Sequence, residues 1–212
     1  MSDKSVPFFD YPRVYLDERE KLINIFDDVG KRGAFILQKD LIEFENKLAE
    51  YIGAKHAIGV GNATDGLELA WMSVGLKEND EVICSAHTML ATASSIRIAG
   101  GTPIPVDIGE DNLIDVESIE PAITKKTVGI MPTQLNGRTC NMDRIMEIAT
   151  KYNLVVIEDS AQALGSMYNN KKAGTFGTAG VISFFPAKVG AFIGHTGVSI
   201  SFVVMGRSLV TS

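Results

Sequence analysis

Cysteine, histidine and clustered basic charge are all scarce in this chain. Two cysteines, Cys84 and Cys140, occur in 212 residues, and they form neither a CxxC pair nor a metal-spaced set. The three histidines, His56, His87 and His195, do not cluster by spacing, so each reads as a structural or surface residue and no metal centre is expected. No run of lysine and arginine appears and the formal net charge is −6. Phosphate-backbone binding needs clustered basic charge, so no nucleic-acid partner is expected. No GxxxxGK[ST] word is present, which removes the phosphate cradle of a nucleotide triphosphatase. The longest apolar stretch, Gly197 to Met205, is far shorter than the roughly 20 residues that span a bilayer, so no membrane helix is expected. The amino terminus, Met1-Ser2-Asp3-Lys4, lacks the apolar core of a signal peptide, and the expected location is cytoplasmic. There is no internal repeat, low-complexity tract or long linker.

Apolar content is not scarce. At 45% hydrophobic, the chain can bury one substantial domain or two small ones. Short apolar runs alternate with helical periodicity. Leu41, Phe44, Leu48 and Tyr51 fall on one face of a helix that Gly53 closes. Strands are predicted at His56 to Val60, Glu81 to Ser85, Thr102 to Val106, Thr127 to Met131, Leu154 to Glu158 and Val181 to Phe184. Helices are predicted near Asp65–Val74, Leu90–Ala99, Val116–Ile123 and Met142–Tyr152. The repeated strand-then-helix order predicts an α/β fold, a mostly parallel sheet with helices on both faces. Residues 1–32, with Pro7 and Pro12, read as an arm plus one helix outside that sheet.

Asp159 ends the apolar strand Leu154-Val155-Val156-Ile157-Glu158-Asp159, at the carboxyl edge where open α/β sheets bind ligands. Alone it could equally be a solvated loop acid or a helix cap. Lys188 follows 29 residues later in Ser183-Phe184-Phe185-Pro186-Ala187-Lys188. Pyridoxal phosphate needs a lysine to hold its aldehyde and a carboxylate to keep its pyridine nitrogen protonated. The pair therefore points to an aminotransferase. A third segment, Gly59-Val60-Gly61-Asn62-Ala63-Thr64-Asp65-Gly66-Leu67, is a small-residue turn from strand into helix, where free N–H groups suit a phosphate. Thr64 and Asp65 are its best candidates, although either could simply cap the helix. A dinucleotide fingerprint fails there, because Thr64 occupies the third glycine position and Glu81 would begin a strand.

The words Glu158-Asp159-Ser160-Ala161-Gln162-Ala163 and Ser183-Phe184-Phe185-Pro186-Ala187-Lys188 resemble those of the DegT/DnrJ-type sugar aminotransferases. Members of that family attach amino groups to keto sugars on nucleotide carriers, and the resemblance runs from about Gly33 to Lys188. It implies the large domain of a type I pyridoxal-phosphate enzyme, working as a homodimer in amino-sugar and polysaccharide biosynthesis. It also implies glutamate as amino donor and a keto nucleotide sugar as acceptor. Carried over residue by residue, it makes Lys188 the Schiff-base lysine and Asp159 the pyridine partner. Ser183 and Thr64 match its phosphate contacts, and Gln162 completes its Asp-x-x-Gln pattern beside the ring oxygen.

The chain departs from that pattern at three places. Met89 stands where an aromatic residue commonly stacks on the ring, and a thioether can pack there instead. Gln134 and Asn136, in Met131-Pro132-Thr133-Gln134-Leu135-Asn136-Gly137-Arg138, replace a His-Leu-Tyr-Gly type of turn, which suggests either a different substrate or an ordinary polar loop. After Lys188 a Gly-Asp-Gly-Gly-like turn and a smaller carboxy-terminal domain are expected, yet the chain continues Val189-Gly190-Ala191-Phe192 and ends at Ser212. The predicted organisation is an arm and helix over 1–32, an incomplete cofactor domain over 33–188 and an atypical tail over 189–212, the mark of a truncated or frame-shifted reading. Such a chain is either an enzyme of the family or a catalytically silent protein that keeps its fold.

Overall fold

The computed structural model describes residues 7, 10–185, 188 and 201–205, the last five by backbone alone. Helix α1 (Tyr11–Arg32) starts where the Arg13 N–H donates to the Asp10 carboxylate and ends on left-handed Gly33. None of its residues is buried, in keeping with the predicted helix outside the sheet. Helix α2 (Lys39–Ile52) closes on Gly53 as predicted and buries Leu48, Ala49 and Ile52. Phe44 and Tyr51, expected on the same covered face, are exposed.

The sheet is built from β1 (His56–Val60), β2 (Glu81–Ser85), β3 (Thr102–Val106), β4 (Thr127–Met131), β5 (Val155–Asp159), β8 (Ala179–Ser183) and β9 (Ser201–Met205). A small hairpin, β6 (Met167–Tyr168) with β7 (Lys171–Lys172), stands apart. The spatial order is β1-β9-β8-β5-β4-β2-β3. Pairing is parallel from β3 through to β8, and β9 runs antiparallel to both neighbours. β9 was not among the predicted strands. Its sequence, Ser201-Phe202-Val203-Val204-Met205, is a short β-branched and aromatic run, which suits a strand, and it pairs Ala57↔Val204 on one side and Val181↔Val203 on the other.

Helices cover both faces. Helices α3 (Ala63–Ser73) and α4 (Leu90–Ile98) lie on one side, where Leu67, Trp71 and Ile96 pack on Val82, Cys84, Met131, Ile157 and Val181. Helix α5 (Met142–Tyr152) lies on the other, with Met142, Ile145 and Ile148 against Ile83, Ile130 and Val156. The alternation along β2, β4 and β5 is what assigns each side chain to a face. Gly129 shows how tight the first layer is. A Cβ there would lie 2.5 Å from the Trp71 ring, whose N–H donates to the Met131 sulfur at 3.3 Å.

The predicted helix over Val116–Ile123 is instead two single 3-10 turns, Val116–Ser118 and Glu120–Ala122. Pro121 lies in the middle of the segment, where it cannot donate a backbone bond and its ring crowds the preceding turn. The sequence-predicted strands at Leu154 and Val181 begin one residue later and two residues earlier, respectively. Among the described residues no helix is long and apolar enough to cross a membrane.

Candidate active site

Chain order and spatial order diverge at β2, since β3 follows it on one side and β4 returns on the other. In open α/β sheets such a reversal opens a crevice at the carboxyl ends of the strands. Asp159 closes β5 next to that point, and its backbone bonds the β4 exit through Asp159 N to Pro132 O (3.0 Å) and Gln134 N to Asp159 O (2.9 Å). Period-two alternation puts Asp159 on the α3/α4 face with Ile157, and Glu158 on the α5 face with Val156.

Asp159 is 3% exposed. One oxygen accepts from the Thr92 hydroxyl at 2.6 Å and the other from the Ala161 N–H at 3.2 Å. Burial pushes its pKa above the usual carboxylate range, while Thr92, Ala161 and the positive charge of Lys188 pull it back. Lys188 is half-buried, and its backbone N–H donates to Phe185 O at 2.8 Å. Its positive charge acts on Asp159. Ser183 closes β8, the neighbour of β5, and its hydroxyl accepts from the Phe185 N–H at 3.2 Å. Asp159 and Ser183 thus end adjacent strands at one edge.

The remaining predicted residues are placed as follows. Thr64 is in the first turn of α3, half-buried, but the cap of that helix is Asn62 rather than Thr64 or Asp65. Asn62 Oδ1 accepts from Asp65 N at 3.0 Å, and its amide donates to the Asp65 carboxylate at 2.7 Å. The Asp65 N–H that a phosphate would use is therefore already engaged. Thr64, relieved of capping, is the better candidate of the two. Met89 occupies the N-cap position of α4 and is 62% exposed. Gln162 binds the loop after β4, its side-chain oxygen accepting from Asn136 N at 3.4 Å and its carbonyl from Gly137 N at 2.9 Å.

Gln134 is not a substrate-facing residue. It is fully buried, with Oε1 accepting from Cys140 N at 2.7 Å and Nε2 donating to Glu158 at 2.9 Å. Glu158 also accepts from the N–H groups of Gly174 (2.8 Å), Phe176 (2.6 Å) and Gly177 (2.9 Å). Burial pushes the Glu158 carboxyl up and these donors work against the rise. Burial also raises the Cys84 and Cys140 thiols, to about 11 and about 12, so both stay protonated at neutral pH. No group of three or more potential metal ligands occurs among the described residues.

Sequence reasoning missed three hydroxyls around Asp159. Thr92 bonds Thr88 at 2.6 Å, and Thr88 bonds Thr133 at 2.9 Å. Thr88 and Thr92 are only four residues apart, but Thr133 and Asp159 are distant in sequence, and the strand order β5-β4-β2 brings them to that pair.

Known proteins resemble this chain in sequence and in fold. The chain is 41% identical over 190 residues to a pleiotropic regulatory protein of Geobacillus stearothermophilus, covering 89% of this chain and 51% of that protein. It is 39% identical over 181 residues to the GDP-perosamine synthase of Caulobacter vibrioides, covering 84% and 47%. The solved structure of NtdA from Bacillus subtilis with the cofactor PMP bound superposes with a TM-score of 0.87 at 30% identity, covering 99% of this chain and 47% of the other. The chain spans about half the length of the curated relatives it matches. A sequence model of the DegT/DnrJ/EryC1/StrS aminotransferases matches residues 16–200, beyond both limits of the resemblance seen in the sequence motifs. The chain belongs to the DegT/DnrJ/EryC1/StrS aminotransferase family.

Proposed function

We propose that this chain carries the cofactor-holding part of a pyridoxal-phosphate-dependent aminotransferase that moves an amino group from glutamate to a keto nucleotide sugar. The observation that carries this reading is the buried Asp159 carboxylate at the end of β5, with the Lys188 charge in reach and Ser183 ending the adjacent strand. The residues fit the cofactor: an anion for a protonated ring nitrogen, an amine for an aldehyde, and hydroxyls beside a helix amino terminus for a phosphate. When bound, the cofactor supplies the electron sink that aminotransfer requires.

In this reading Asp159 orients the ring and holds the proton on its nitrogen. Lys188 binds the cofactor covalently and, once released, carries protons at its Nζ. Thr64 and Ser183 hold the phosphate beside the start of α3, with Asp65 in the same turn. Met89 packs on the ring face, and Gln162 turns its amide toward the ring oxygen. The homologous GDP-perosamine synthase supports a nucleotide-sugar substrate, and the PMP-bound neighbour supports the cofactor. A cytoplasmic homodimer engaged in amino-sugar and polysaccharide biosynthesis completes the proposal, with 33–188 as the cofactor domain and 1–32 as its arm.

Pyridoxal phosphate added to the protein should give an absorbance band near the visible edge that borohydride traps on Lys188. Trapping on another lysine defeats the assignment. A second reading, a silent protein with the same fold, is favoured by the regulatory name of the Geobacillus relative. Steady-state amino transfer from glutamate to a 4-keto nucleotide sugar separates the two, because the silent reading requires none.

A further inference from the structure

Asp159 has one side-chain hydrogen-bond partner among the described residues, and that partner is an alcohol in the first turn of a helix. Thr92 is completely buried on α4. Valine has the same shape, and a buried hydroxyl without a partner costs about 1–3 kcal/mol. Packing therefore does not account for threonine at this position. Its bond to Asp159 Oδ2 at 2.6 Å does.

Proton counting fixes the direction of the chain behind it. An ionised carboxylate only accepts, so the one Thr92 proton points at Asp159. Thr92 Oγ1 can then meet Thr88 Oγ1, at 2.6 Å, only as an acceptor. Thr88 has used its proton in turn and must accept from Thr133, at 2.9 Å. Three hydroxyl dipoles thus run the same way, Thr133 to Thr88 to Thr92, and end on the carboxylate. Such aligned chains strengthen each member. They also tie together the carboxyl ends of β2, β4 and β5 at the point where strand order reverses, since Thr88 follows β2, Thr133 follows β4 and Asp159 ends β5.

We infer that Thr92, oriented by Thr88 and Thr133, is a positioning residue that holds the Asp159 carboxylate ionised and fixed in rotation for the cationic ring nitrogen of the cofactor. With Oδ2 on Thr92 and Oδ1 on the Ala161 N–H, the carboxylate plane is pinned at both oxygens. The inference rests on the proposed role of Asp159 and adds to it the residues that act through it.

The test is a double-mutant cycle in the full-length protein, read on the dissociation constant of pyridoxal phosphate by absorbance titration and on turnover. Thr92→Val should weaken the cofactor and slow turnover about tenfold each, the size of one hydrogen bond to a charged group. Thr92→Ser, which keeps the hydroxyl, should restore both to within about twofold, and Thr88→Val should cost less than Thr92→Val. In an Asp159→Asn background Thr92→Val should add much less, because the charge that Thr92 steadies is gone. Equal losses in the two backgrounds, or failure of serine to rescue, overturn the inference while leaving Asp159 in place. If Thr92→Val does not fold, the same cycle with Thr88→Val decides. If Asp159→Asn alone changes neither readout, the underlying cofactor reading fails instead.

Discussion

Glu158 and Asp159 are adjacent acids, both buried, and the fold gives them opposite surroundings. Strand alternation sends Glu158 to the α5 face, where four N–H donors from Gln134, Gly174, Phe176 and Gly177 fill both its oxygens. Asp159, on the α3/α4 face, receives one hydroxyl and one N–H at the open end of the sheet. A carboxylate saturated by its own protein has no capacity left for a ligand. One with a single donor on each oxygen retains it. The difference teaches that burial of an acid does not by itself leave it able to bind; unused acceptor capacity at a strand's carboxyl edge is what the proposed role of Asp159 requires.

Glu158 is a staple. It holds the Gly174–Gly177 loop to β5, and Gly177 approaches so closely that any side chain there would strike the Val156 carbonyl. Glu158→Gln should therefore carry the largest effect on folding. Every carboxylate oxygen faces two N–H groups, so an amide NH2 at either position meets donors only. The expected loss is about 3–5 kcal/mol, as for breaking a buried charged network, read from the denaturant midpoint. A midpoint equal to wild type would abolish the contrast between the two acids.

Asp159→Asn should do the reverse. In the proposed site a neutral amide cannot hold the pyridine nitrogen protonated, so transamination in a full-length version should fall on the order of 10²-fold or more, about 2.7 kcal/mol of barrier. The protein should be at least as stable as wild type and retain some cofactor. Near-normal turnover removes Asp159 from the cofactor; a large loss of stability would make it a second staple.

Much of this architecture was legible in the residues. The first four strands match the prediction residue for residue, because each is a short apolar run bounded by turn residues. Asp159 and Ser183 stood out by residue type and motif, and they end the adjacent strands β5 and β8. The rest was hidden for definite reasons. Asn62 outcompetes Thr64 and Asp65 as cap because its amide serves both the Asp65 N–H and the Asp65 carboxylate, a reciprocity no single-residue preference contains. Gln134 looked like loop polarity, since nothing local reveals that Glu158 and Cys140 will close around it. Thr133 meets the local pair Thr88 and Thr92 only after the chain reverses at β2. β9 was invisible because its two partners are β1, at the start of the sheet, and β8.

The smallest and most discriminating effect concerns pH. Burial raises the folded-state pKa of Asp159, against the opposing pull of Thr92, Ala161 and Lys188. A carboxyl whose folded pKa lies above its unfolded value, about 3.9, binds more protons in the folded state. The linkage slope then has a definite sign: stability falls as pH rises from the unfolded value toward the folded one, and is level above it. Asparagine does not titrate, and the contribution of Glu158 is common to both proteins and cancels in their difference. Asp159→Asn should therefore match wild type in the most acid range where both fold and become the more stable of the two as pH rises above about 4. Melting temperatures of the cofactor-free pair across that range provide the measurement. A gap that stays constant with pH would mean that burial does not strain Asp159 as a charge. A gap of the opposite sign, with wild type gaining as pH rises, would place Asp159 with carboxylates that the fold stabilises in their charged form.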